Sequence, residues 1–248
     1  MRQAVFILTT TAIIIVIINT GANGLSKRKK TSALKLDMAP DSVDDQFIGC
    51  TEKISNLINK VLETELNKNK DFKNIWNKYP NITDHITRII KVYTDPWGFH
   101  SKFNDAVSSG KKYYTKKFYY KAFHFLLTRA VQKYKVKSCV VVYRRTTVDY
   151  ETPEINDVMR FGRFASTSFE EDLIKFGNKS CFKINTCLGA DIGKLSEIPN
   201  EKEVLVPPYE NFTITNIEKN KMNCEVLYTL KSAGPFSNMN CELLKKLY

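Results

Sequence analysis

The chain of 248 residues is 43% hydrophobic and 26% charged, with a formal net charge of +12 at pH 7. That balance excludes a disordered chain and supplies a real core, in one large domain or two small ones. The excess of cations admits nucleic acid, an anionic surface or plain solubility. The lysines are scattered and their densest groups, Lys27-Arg28-Lys29-Lys30 and Lys111-Lys112-Tyr113-Tyr114-Thr115-Lys116-Lys117, are short, so no nucleic-acid partner is expected.

The opening Met1-Arg2-Gln3, the apolar run from Ala4 to Ile18 and the stretch Thr20-Gly21-Ala22-Asn23-Gly24 carry the three regions of a secretory signal. Residues 1–24 are therefore expected to be a signal peptide, cleaved after Ala22 or Gly24. An uncleaved membrane tether is the competing reading, disfavoured because a spanning helix needs about 20 apolar residues. Residues 25–35 read as a loose basic arm, and residues 36–248 as one domain without internal repeat or long linker. In an exported chain the six cysteines, Cys50, Cys139, Cys181, Cys187, Cys224 and Cys241, are expected to form disulfides, although spacing alone leaves the connectivity open. No Cys-x-x-Cys or His-x-x-x-His pair suggests a metal. The triplets at Asn81, Asn178 and Asn211 have the pattern of glycosylation acceptors and fit an exported, glycosylated surface.

Ile54, Leu57, Ile58, Val61 and Leu62 recur at helical spacing and predict a helix over 51–66. Others are predicted over 71–78, 84–93 and 99–108, and the strongest over 121–134, where Phe123, Leu126, Leu127, Ala130, Val131 and Tyr134 line one side. His124 is expected to be packed or half-exposed on that helix; neither it nor His85 nor His100 shows a pattern that assigns it catalytic work. After Lys137 the character changes. Apolar, β-branched segments predict strands over 138–143, 161–168, 181–187, 203–206, 211–218 and 225–231. Helices first and strands afterwards argue for an α+β fold.

One stretch carries chemistry. Residues 201–206 read as a strand stopped by Pro207 and Pro208, so that Glu201 and Glu203 leave the same face with Lys202 turned away. On its own the pair is first a solvated edge of charge. The sharper reading is a site that stabilises a developing cation and also takes up a proton, with its two pKa values held apart.

Six segments then carry a resemblance: Leu36-Asp-Met-Ala-Pro-Asp-Ser-Val-Asp-Asp-Gln-Phe-Ile-Gly-Cys50, Lys121-Ala-Phe-His-Phe-Leu-Leu-Thr-Arg-Ala130, Val142-Tyr143-Arg144, Arg160-Phe-Gly-Arg-Phe-Ala-Ser-Thr-Ser168, Thr186-Cys-Leu-Gly189 and Glu201-Lys-Glu-Val-Leu-Val-Pro-Pro208. In this order, over residues 36–242, they resemble the arginine-specific ecto-mono-ADP-ribosyltransferases. The resemblance implies a helical half followed by two packed small sheets around a cleft for NAD, with NADP as a second candidate and no metal. It places the family's arginine on Arg144, its serine on Ser166 and its glutamates on Glu201 and Glu203. Nucleotide contacts fall on Tyr93, Arg163 and Ser196, and nicotinamide stacking on Phe176. It pairs Cys50 with Cys241 and Cys139 with Cys187, leaving Cys181 for Cys224.

Two departures stand out, Arg145 where the family has glycine and Arg163 where it has glutamine. The expected activity is transfer of ADP-ribose from NAD to arginine side chains of extracellular proteins by a secreted monomer without stable membrane insertion. An NAD glycohydrolase using the same site and a catalytically silent secreted binding protein are the alternatives. The chain end at Tyr248 shows no apolar tail for a glycolipid anchor.

Overall fold

A computed structural model describes residues 33–246. The expected signal peptide, and the arm up to residue 32, lie outside the described residues. Five helices come first: α1 (Thr51–Lys68), α2 (Lys70–Trp76), α3 (His85–Thr94), α4 (Phe99–Ser109) and α5 (Lys121–Lys133). Local chemistry sets their starts. The Asn69 side chain accepts from Phe72 N at 3.0 Å, and Asp84 accepts from Thr87 N at 3.0 Å, which satisfies amides that have no partner within the helix.

The first turn of α5 is capped from outside its own segment. Glu65 of α1 accepts from Lys121 N at 2.7 Å and Ala122 N at 2.9 Å, and burial pushes its pKa up to about 7. Nearly all of α5 is buried, rather than one side of it. His124 is fully buried, bonded through Nε2 to the Val43 carbonyl at 3.0 Å, and desolvation lowers its pKa to about 4.

Eight strands follow: β1 (Val140–Thr146), β2 (Val158–Arg160), β3 (Ala165–Ser168), β4 (Ser180–Thr186), β5 (Ala190–Asp191), β6 (Glu203–Val206), β7 (Glu210–Lys221) and β8 (Cys224–Pro235). They form one ladder in the order β2-β7-β8-β4-β1-β3-β6-β5, antiparallel except for β4 beside β8. The expected two small sheets are the two halves of this ladder. Five strands end at β1 and three begin at β3, and the halves meet in a single register pair, Tyr143 opposite Ser168. Beyond that pair β1 and β3 part, and the parting opens a cleft.

The two largest apolar clusters lie under the helices and on the sheet. Phe72, Phe99, Phe103, Phe123 and Phe164 belong to the helical one, and Val142, Phe182, Ile184, Val206 and Phe212 to the one on the sheet. Cys50 pairs with Cys241, Cys139 with Cys187 and Cys181 with Cys224. Residues 33–35 correct the reading of a loose arm. Leu34 exchanges backbone hydrogen bonds with Asp149 (3.2 Å) and Glu151 (2.8 Å), because the segment before β2 offers an unpaired edge.

One buried ion pair closes the domain. Arg160 Nη1 lies 2.6 Å from Asp44 Oδ2 with both side chains inaccessible to water. Arg160 also donates to the carbonyls of Met38 and Ala39, while Asp44 accepts from the backbone of Asn238 and Met239.

Candidate active site

The cleft between β1 and β3 holds about 390 Å³, within the range of small-molecule sites. Where the ladder opens, backbone groups lose their partners, and Arg144 answers one of them: its Nη1 donates to the Ser166 carbonyl at 2.7 Å. Burial holds the Arg144 pKa below the ordinary guanidinium value. The Ser166 hydroxyl lies 3.4 Å from the Tyr93 hydroxyl and draws the Glu203 pKa down, against the larger effect of burial.

Glu201 and Glu203 both line the cleft, but not as neighbours on a strand. Glu201 ends a 3-10 turn, Pro199–Glu201, and Lys202 adopts a left-handed conformation (φ 44°) before β6 begins at Glu203. The turn replaces two residues of the predicted strand because the Pro199 carbonyl accepts from Lys202 N at 3.1 Å. Lys202 still points away, onto Glu170. Ser168, directly across the ladder from Glu203, holds the Glu201 carbonyl through its hydroxyl at 2.6 Å.

The two carboxyl groups inhabit unlike environments. Glu203 is 6% exposed, and burial is the first reason its pKa rises to about 7; Glu201 adds to the rise, and Ser166 and Arg144 oppose it. Glu201 stands nearer solvent and pairs with Lys175, Nζ to Oε1 at 2.6 Å.

The other expected contacts divide. Arg163 and Phe176 line the cleft, Arg163 at 3.6 Å from Asp105. Tyr93 and Ser196 do not line it. Tyr93 is buried behind Phe164 and Ser166, donating to the Phe164 carbonyl at 2.9 Å, and Ser196 caps its own loop by accepting from Ile198 N at 3.0 Å. Several residues of the cleft had no signal in the sequence, Asn104 and His100 among them. Asn104 ties Tyr93 to Phe164 with three hydrogen bonds, and His100 reaches the cleft from α4, its pKa lowered by burial and then by Arg144.

Arg145 lines the cleft, but its guanidinium is spent on other partners. Its guanidinium donates to the carbonyls of Glu171 (2.8 Å) and Met222 (2.9 Å) and rests on the Cys181–Cys224 bridge, 3.1 Å from Cys224 Sγ. The departure from glycine therefore ties the loop bearing Phe176 to the β7–β8 hairpin. Gly177 completes that anchorage. At φ 122° its Cα packs so closely on β1 that a Cβ would lie 2.5 Å from the Thr146 carbonyl carbon.

Comparison with known proteins decides the family. The family model described as NAD:arginine ADP-ribosyltransferase matches residues 36–235. The chain belongs to that family. This transferase is 32% identical over 230 residues to NAD(P)(+)--arginine ADP-ribosyltransferase 2 of Gallus gallus, covering 85% of the chain and 73% of the relative. It is 34% identical over 227 residues to T-cell ecto-ADP-ribosyltransferase 2 of Mus musculus, covering 83% and 76%. The crystal structure of the mono-ADP-ribosyltransferase ART2.2 superposes with a TM-score of 0.74 at 30% identity, covering 84% of this chain and 99% of that one. A mutant of ART2.2 has been crystallised in complex with NAD.

In the transferase described here, Arg145→Ala removes three charged-donor contacts from a buried position. It is expected to cost about 2–3 kcal/mol in stability, read by thermal unfolding. It is also expected to raise the KM for NAD more than it lowers kcat, because the loop that loosens carries Phe176 into the lining of the cleft.

Proposed function

We propose that Glu203, Arg144, Ser166 and Glu201 carry the transfer of ADP-ribose from NAD to arginine side chains of extracellular proteins. The observation that supports this division is one cleft holding two carboxyl groups of unlike burial, Glu203 inside and Glu201 toward its mouth. Breaking the nicotinamide–ribose bond leaves an oxocarbenium-like ribose, and nicotinamide departs with the bonding electron pair. Ionised Glu203 is a fixed negative charge that favours this transition state over the ground state. Arg144 offers a planar fork to the pyrophosphate, which a lysine does not reproduce. Arg163 adds a second cation, and Phe176 offers a ring face to nicotinamide. Tyr93 supports the reading as a prop for Ser166 rather than as a contact to the nucleotide.

Glu201 serves the acceptor. A guanidinium stays protonated far above neutral pH and is a poor nucleophile until a carboxylate orients it and accepts its proton as the new C–N bond forms. Glu201→Gln is expected to lose transfer to agmatine by about a hundredfold or more while retaining NAD hydrolysis. Labelled ADP-ribose recovered on agmatine at the wild-type rate would sink the assignment.

NADP is proposed as a second donor, supported by the NAD(P)(+) in the chicken relative's name. Residues 36–248 are proposed as the catalytic domain of a secreted monomer, released after residues 1–24 are removed. The ecto-enzyme names among the relatives support an extracellular site of action.

A further inference from the structure

The carboxylate assigned to the acceptor is already occupied by a cation of the chain itself. Lys175 Nζ sits 2.6 Å from Glu201 Oε1 and 4.8 Å from the centre of the Phe176 ring. Those are the two surroundings that an acceptor guanidinium requires, a carboxylate to orient it and closeness to the ring proposed for nicotinamide. The Lys175 side chain is 58% exposed, whereas that of Glu201 is 18% exposed. The cation can therefore swing into water, while the anion stays at the mouth of the cleft. Its loop is pinned on both sides, by Arg145 on the Glu171 carbonyl and by Gly177 against β1, so the ammonium is delivered to Glu201 by backbone held in place.

We infer that Lys175 is a built-in stand-in for the acceptor, occupying the guanidinium subsite on Glu201 until a substrate arginine displaces it. This rests on the role given to Glu201 above. The stand-in lowers apparent acceptor affinity, because every acceptor has to break the pair before Glu201 can take its proton. A half-exposed pair is weak, which sets the size of the effect at about two- to fivefold. An arginine that offers a bidentate fork displaces a single-point ammonium readily.

The test uses the full exported chain and agmatine. Lys175→Ala is expected to lower the KM for agmatine about two- to fivefold and to tighten agmatine binding, titrated calorimetrically, by the same factor. Lys179→Ala, which removes an equal charge from the exposed pair with Glu225 outside the cleft, is expected to leave both constants unchanged. Lys175→Arg places a guanidinium on Glu201. In that variant the ribose C1′–nicotinamide bond breaks, a C1′–Nη bond forms at position 175, Glu201 takes the proton, and labelled ADP-ribose stays on the chain at that position. Unchanged agmatine constants in Lys175→Ala, or an equal gain in Lys179→Ala, overturn the inference. The calorimetric arm needs no turnover, so a chain that bound agmatine but failed to cleave NAD would count against the transferase assignment and not against this subsite.

Discussion

Replacing Glu203 with glutamine is expected to lower kcat/KM for NAD by about a thousandfold or more, with agmatine or with water as acceptor. Glutamine keeps the shape but loses the charge that the proposed role sets opposite the developing ribose cation. Because departure of nicotinamide precedes either outcome, both reactions fall together, and this separates Glu203 from Glu201. Partition between labelled agmatine and free ADP-ribose measures it. Loss of transfer alone would reverse the two roles.

The same residue sets the pH dependence. Its pKa is raised by burial from 4.5 to about 7 in the folded chain, and the role proposed for it needs the ionised form. The profile of kcat/KM for NAD, which reports the free enzyme, is therefore expected to rise through about pH 7. Stability moves the other way. Between the unfolded and folded pKa values the folded state binds the extra proton, so stability falls as pH rises from about 4.5 through 7. Glu203→Gln removes that cost and is expected to gain roughly 2–3 kcal/mol at pH 8 and almost nothing at pH 4. Thermal unfolding at the two pH values checks this. A variant that was inactive because it misfolded would instead lose stability at both.

The largest stability effect is expected at Asp44→Ala. It leaves the Arg160 guanidinium fully buried with no counter-charge, and it strips acceptors from the backbone amides of Asn238 and Met239. Breaking a buried pair from one side costs about 3–5 kcal/mol. For a domain of this size that is on the order of 10 °C in midpoint. Since Asp44 lies on the segment leading into α1 and Arg160 on β2, the loss also frees the chain on both sides of the Cys50–Cys241 bridge. A midpoint shift below about 2 °C would show that the pair contributes no net stability.

What the sequence determined by itself was whatever repeats at short range or stands in a fixed order. Apolar spacing placed three of the five helices, since a buried stripe needs only neighbours three and four residues away, and closing turn residues marked the other two. β-branched runs placed six of the eight strands. Val158–Arg160 and Ala190–Asp191 were missed as strands, because three and two residues are too few to show a period. The order of six motifs was enough for the family and for the pairing of the cysteines.

Tertiary structure alone decided how the site is assembled. Glu201 reaches the cleft through a turn and a left-handed Lys202 rather than a strand, a choice settled by a hydrogen bond that the pattern of alternating charges does not encode. Asn104 and His100 belong to the site, and Tyr93 stands behind it, because α4 packs against the Phe164 end of β3. Arg145 faces a disulfide, and Lys175 faces Glu201. These contacts join residues far apart in the chain, and where a long side chain points once the loop beneath it is pinned is a property of the packed fold rather than of local sequence.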